Sequence, residues 1–96
     1  MMLHILTNSD NLRALYRREL PVNVEQDVFL LTQDCVYAGI LDHKDHLMIL
    51  SLKKCYFLQE DMEARGLKSL IDDNIQLVNY SSFVSLTQEY SPVVTW

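Results

Sequence analysis

The segment Leu3–Tyr16 reads LHILTNSDNLRALY, and its two halves follow different periods. LHIL is a short apolar run with the length and composition of a buried strand. After TNSD, where Asn8, Ser9 and Asp10 can each cap a helix, Leu12, Leu15, Tyr16 and Leu20 fall at i, i+3, i+4 and i+8. Arg17 and Arg18 then occupy the last turn, where cations suit the helix dipole, and Pro21 stops the helix. A strand that hands over to an amphipathic helix through a capping turn is a βα unit.

Further apolar runs repeat that opening. They are VFLLT (Val28–Thr32), CYFL (Cys55–Leu58), IQLV (Ile75–Val78) and VVTW (Val93–Trp96). The segments between them carry helical patterns. SSFVSLTQEY offers Ser81 or Ser82 as cap, sets Phe83, Leu86, Thr87 and Tyr90 on one stripe, and is closed by Pro92. EDMEARGLKSLI starts with Glu60, Asp61 and Glu63, favourable at a helix start, and reaches Gly66 as a C-terminal cap. In the middle, CVYAGILDHKDHLMILSLKK reads as a helix through about Leu41, a polar break at DHKD, and a second helical piece, with a strand over Leu47–Leu52 as the other reading. Strands alternating with helices predict an α/β fold, a three-layer α/β/α sandwich on a mainly parallel sheet of about five short strands. Residues 1–96 are expected to form a single domain. Sites in such folds gather at the carboxyl ends of the strands, here the loops TNSDN, QDCV, QEDM and NYSS.

Composition restricts the chemistry. A net charge of −5 over 96 residues argues against binding nucleic acid through its phosphates, and the cluster Arg13, Arg17 and Arg18 reads as a solvated helix face. No apolar stretch is long enough to span a membrane, and the first residues lack the pattern of a signal peptide, so a cytoplasmic location is expected. Neither a dinucleotide fingerprint nor a Walker A sequence is present, and no cofactor is expected. His43 and His46 in DHKDH have a spacing at which two imidazoles can approach one ion, but no further ligands are spaced to complete a site. A polar turn between two helices is the expectation there, with no metal, and His4 inside the first strand reads as a structural histidine.

Two cysteines without a C-x-x-C pairing read as free thiols. Cys55 at the head of the third strand reads as a small buried apolar side chain. Cys35 is the candidate reactive residue. A helix starting beside it would stabilise a thiolate, the form that attacks or carries sulfur, while the neighbouring Asp34 opposes that charge.

The blocks MLHILTNS (Met2–Ser9), LLTQDCVYAG (Leu30–Gly39), LQEDMEARGL (Leu58–Leu67), IQLVNYSSFVSLT (Ile75–Thr87) and the closing VVTW, in this order over nearly the whole chain, resemble the TusB/DsrH family of sulfur-relay subunits. The resemblance implies a compact α/β fold shared with TusC and TusD subunits, with which TusB-like chains assemble as a dimer of heterotrimers. It implies partners of TusC-like and TusD-like type and a TusE-like acceptor that docks on the complex. Persulfide sulfur then passes to the enzyme that thiolates the wobble uridine of certain transfer RNAs. DsrH is the counterpart in the DsrEFH complex of sulfur-oxidising bacteria. In both systems the principal sulfur-carrying cysteine belongs to the TusD or DsrE subunit, near the end of its third strand. The matching stretch here, FLQEDM (Phe57–Met62), holds no cysteine. The position after Asp34 is often glycine in related sequences, so Cys35 inherits no family role. The resemblance therefore implies a noncatalytic subunit of a heteromeric sulfurtransferase complex. Its rivals are a DsrH-type subunit in sulfur oxidation, a chain whose own Cys35 carries persulfide, and a free-standing homo-oligomeric binding module.

Overall fold

The computed structural model describes residues Met1–Trp96. Strands β1 (Leu3–Leu6), β2 (Val28–Leu31), β3 (Lys54–Leu58), β4 (Gln76–Val78) and β5 (Val93–Thr95) form one sheet in the order β4-β3-β2-β1-β5. Every neighbouring pair is parallel. All four residues of β2 are buried, as expected of an apolar strand with structure on both faces. The α/β/α sandwich expected from the alternating runs is the fold observed.

The two faces are covered unequally. Leu6, Phe29, Leu31 and Phe57 pack under helices α1 (Ser9–Tyr16) and α2 (Gln59–Ala64) and two 3-10 helices, Gln33–Gly39 and His46–Ser51. The opposite face, Leu3, Val28 and Leu30, is covered by α3 (Tyr80–Glu89) through Phe83, Leu86 and the following Tyr90. The stripe read on that last helix does face the sheet, but none of its residues is fully buried.

Both short helices end in hydrogen-bonded left-handed turns. After α2, Gly66 takes φ 66°, its N–H donates to Glu63 O, and the Leu67 N–H reaches back to Met62 O. This is the Schellman pairing, with Leu67 and Met62 making its apolar contact in the core. Helix α1 ends the same way at Arg18, where the N–H groups of Arg18 and Glu19 donate to Leu15 O and Ala14 O. The helix therefore stops at Tyr16 instead of running on to Pro21. Tyr16 is left exposed, while Leu20 packs on the core from the following loop.

Three other expectations are corrected. The helix expected from Cys35 to Leu41 is a 3-10 helix ending at Gly39, and the second piece is a 3-10 helix, which excludes the strand reading of Leu47–Leu52. Asn79, whose side chain accepts from the Ser82 N–H, caps α3 in place of Ser81 or Ser82. Arg13 does not belong to a solvated face: it grips the buried carboxylate of Asp45 through Nε at 3.3 Å and Nη2 at 3.1 Å.

Arg18 holds φ 61° with no side-chain bond to justify it. The left-handed region costs a side-chain-bearing residue about 1–2 kcal/mol, partly offset by the extra unfolded-state freedom of glycine. Arg18→Gly is expected to stabilise the chain by about 0.5–1 kcal/mol and raise Tm by a few degrees, read by thermal denaturation.

Candidate functional site: the carboxyl edge and the buried histidines

The loops at the carboxyl ends of the strands are bonded to one another. The Gln33 N–H donates to Asp61 Oδ2 at 2.6 Å, the Tyr80 N–H donates to Glu60 Oε2 at 3.0 Å, and Thr7 Oγ1 donates to Trp96 O at 3.0 Å. Asn8 caps α1 by accepting from the Asp10 N–H, and Arg65 reaches Asp34 at 3.4 Å. Asp10, Asp34 and Glu60 are exposed along this rim, which is acidic and presents no thiol.

Cys35 lies beneath that rim with 1 % of its surface exposed, inside the core with Leu12, Leu31 and Val36. Burial, reinforced by the negative charges of Asp34 and Asp45, pushes its thiol up to about 12. The expected helix start would have favoured a thiolate; the observed enclosure disfavours it, because desolvation penalises the charged form. Cys55 sits in β3 beside Phe29 of β2, and burial pushes its thiol up as well, with a smaller contribution from Cys35. Cys55 is half-buried, against the expectation of a fully buried strand thiol.

The DHKDH segment is not a solvated turn. Asp45 and His46 are buried, because each has a charged or polar partner contributed from elsewhere in the chain. His46 Nδ1 lies 2.8 Å from Ala38 O and Nε2 lies 3.1 Å from Asp72 Oδ2. Both partners accept, so the ring meets both bonds only with a hydrogen on each nitrogen. Asp72 is held below the usual carboxylate range by the Asn74 N–H, against a burial penalty, with His46 adding to the effect. His46, Asp72 and Cys55 line a cavity of about 220 Å³ beside Ile49, Leu52 and Ile75. His43 and His46 do not converge on a common point: His43 Nδ1 accepts from the Asp45 N–H, while His46 turns into the core.

His4 is wholly buried, and both its ring nitrogens are used. Nε2 lies 2.8 Å from Asp27 Oδ2, and Nδ1 accepts from the Trp96 indole N–H at 3.0 Å. Burial drives the Asp27 carboxyl up, but hydrogen bonds from His4 and from the Asn23 and Met2 amides outweigh it and leave it below the ordinary value. Sequence reasoning had no means of finding Asp27, Asp72 or Trp96 as partners of the histidines, since no local pattern links residues so far apart in the chain. No helix is long and apolar enough to cross a membrane.

A family model described as DsrH-like protein matches residues 8–93. Proteins named TusB are similar to this chain: that of Pectobacterium parmentieri is 33% identical, covering 99% of this chain and 100% of its own. The TusB of Buchnera aphidicola is 37% identical, covering 75% of this chain and 77% of its own. Among solved structures, the ychN protein of E. coli superposes with a TM-score of 0.74 at 19% identity, covering 100% of this chain and 99% of that one. A protein of unknown function from Methanobacterium thermoautotrophicum, MTH1491, gives 0.65 at 14% identity, covering 99% and 96%. At those identities the two structures speak for the fold.

A thiol moved from 9.0 to about 12 loses about a thousandfold of its thiolate at neutral pH. Iodoacetamide is therefore expected to label Cys35 in the folded chain at least about a hundredfold more slowly than in denaturant, read by peptide mass spectrometry; equal rates would place the thiol at the surface. Because Asp27 is depressed in the folded state, its contribution is present above the unfolded carboxylate pKa of about 4 and is lost as pH falls through the lower folded value. Asp27→Asn is expected to be less stable at neutral pH and to lose stability less steeply below about pH 4, read by urea denaturation at a series of pH values.

Proposed function

The chain belongs to the TusB/DsrH family, and from that premise we propose that residues 1–96, as one domain, form a noncatalytic subunit of a TusBCD-like sulfurtransferase complex. The complex relays persulfide sulfur in the cytoplasm for 2-thiolation of the tRNA wobble uridine. TusC-like and TusD-like chains are the sister subunits, a TusE-like acceptor docks on the assembly, and this chain makes no direct contact with nucleic acid.

The observation that carries the proposal is the near full-length likeness to proteins named TusB. Three features of the chain support it. Persulfide transfer needs a thiolate that a partner can reach, and Cys35 is enclosed with its thiol form favoured. The end of β3 at Leu58 passes directly into Gln59 and Glu60 of α2 and offers no sulfur. Leu41, Leu47, Leu50 and Leu70 are each more than half exposed, which is apolar surface that a stable subunit contact would cover. A DsrH-type role in sulfur oxidation rests on the same chemistry and differs in its partners.

The tagged chain, captured from its own organism, is expected to bring down TusC-like and TusD-like chains; DsrE-like and DsrF-like chains would redirect the reading to sulfur oxidation, and a lone homo-oligomer would contradict both. A Leu47→Asp, Leu50→Asp double variant is expected to lose at least about tenfold in capture while staying folded. Cys35→Ser is expected to leave both capture and wobble-uridine thiolation within about twofold of the native level, read by nucleoside mass spectrometry of bulk transfer RNA.

A further inference from the structure

The first strand and the last residue of the chain are joined by a buried imidazole. His4 stacks on Phe29 with ring centroids 5.1 Å apart and lies 6.2 Å from the Trp96 ring. Because the indole N–H can only donate, Nδ1 must present its lone pair, and the single ring hydrogen sits on Nε2, facing Asp27. The arrangement exists only while His4 is neutral.

Strand β5 pairs with β1 alone. It is three residues long, lies at the sheet edge, and exposes Val93 and Thr95. Its backbone bonds to the β1 region include Trp96 N–H to Ile5 O, Thr7 N–H to Trp96 O and Leu3 N–H to Pro92 O. The Trp96 side chain, packed against the larger core cluster, is its inward anchor.

We infer that His4 is a proton-operated latch for the C-terminal strand. A proton taken from solvent onto Nδ1 converts the acceptor into a donor, so the indole N–H faces another N–H and the bond is lost. The Nε2 hydrogen stays on Asp27, so the cation keeps its partner and the ring its place. Release of Trp96 loosens β5 and opens the edge of β1, where Leu3 N–H, Ile5 C=O and Thr7 N–H lose their partners. Asp27, from the loop before β2, is the charged group in contact with the ring, and its remaining bonds come from the Met2 and Asn23 amides. The Phe29 ring from β2 and the Trp96 indole, just past β5, carry no charge, and the thiol on the same sheet row, Cys55, lies beyond Phe29.

Trp96 is the one tryptophan, so its emission and indole resonance report the latch without interference. The test uses the full chain, titrated from about pH 8 to about pH 5, the range in which imidazoles change charge. The expected result is a red shift of Trp96 emission together with about tenfold faster exchange of its indole hydrogen, corrected for intrinsic pH dependence. Both follow the same midpoint as the His4 ring nitrogens in ¹⁵N NMR, with the helical part of the far-UV dichroism retained. His4→Gln, whose amide can accept from Trp96 and donate to Asp27 without titrating, is expected to abolish the transition. The inference is overturned if Trp96 stays silent across the range, if its midpoint follows His43 or His46, or if the transition persists in His4→Gln. Should that variant fail to fold, coincidence or divergence of the His4 and Trp96 midpoints in the native chain decides the matter.

Discussion

Strand β1 pairs in parallel with β2 on one side and β5 on the other, so the first and last strands share a ladder and the chain between them must travel out to β4 and return. Parallel pairing permits no hairpins, and each step needs a crossover. The three outward crossovers place α1, both 3-10 helices and α2 on one face. The single return places α3 on the other. The thick face holds the larger core, both thiols and the histidine networks, while the thin face is closed by half-buried Phe83, Leu86 and Tyr90. The reversal of direction falls beside β1, which is why Thr7, Trp96 and His4 meet there.

That placement governs the sulfur chemistry. A thiol can carry sulfur when its thiolate is accessible, and the crossover after β2 folds Cys35 inward beneath Asp34 and beside Asp45. Desolvation and two nearby carboxylates act in the same direction. Asp45 is itself held by Arg13, and His46 by Ala38 and Asp72, so the segment over Cys35 is braced by buried polar bonds. Buried groups of this kind are costly to leave unpaired, and each has a partner here. Enclosed and braced in this way, Cys35 is held as a thiol.

The strands were legible because β-branched and aromatic residues crowd short runs such as VFLL, and Gly66 was legible because a left-handed cap favours glycine. The end of α1 was not, because the left-handed turn at Arg18 is adopted by a residue that carries no glycine signal. The middle segment misled for a different reason. Its apolar residues carry a helical pattern, but the segment must fit between the ends of β2 and β3, and it does so as two tight 3-10 turns joined at DHKD. The same residues showed a histidine pair with metal-like spacing and gave no sign that Asp45 belongs to Arg13 or His46 to Asp72, contacts made by residues 32 and 26 positions away. Cys35 was legible as a position and not as an environment.

Whether this chain itself carries sulfur is read by intact-mass spectrometry of the folded chain after exposure to a persulfide donor. The native chain is expected to gain no reductant-labile sulfur under conditions that load an accessible protein thiol. Stoichiometric addition of one sulfur atom, mapped to Cys35 and lost in Cys35→Ser, would contradict it.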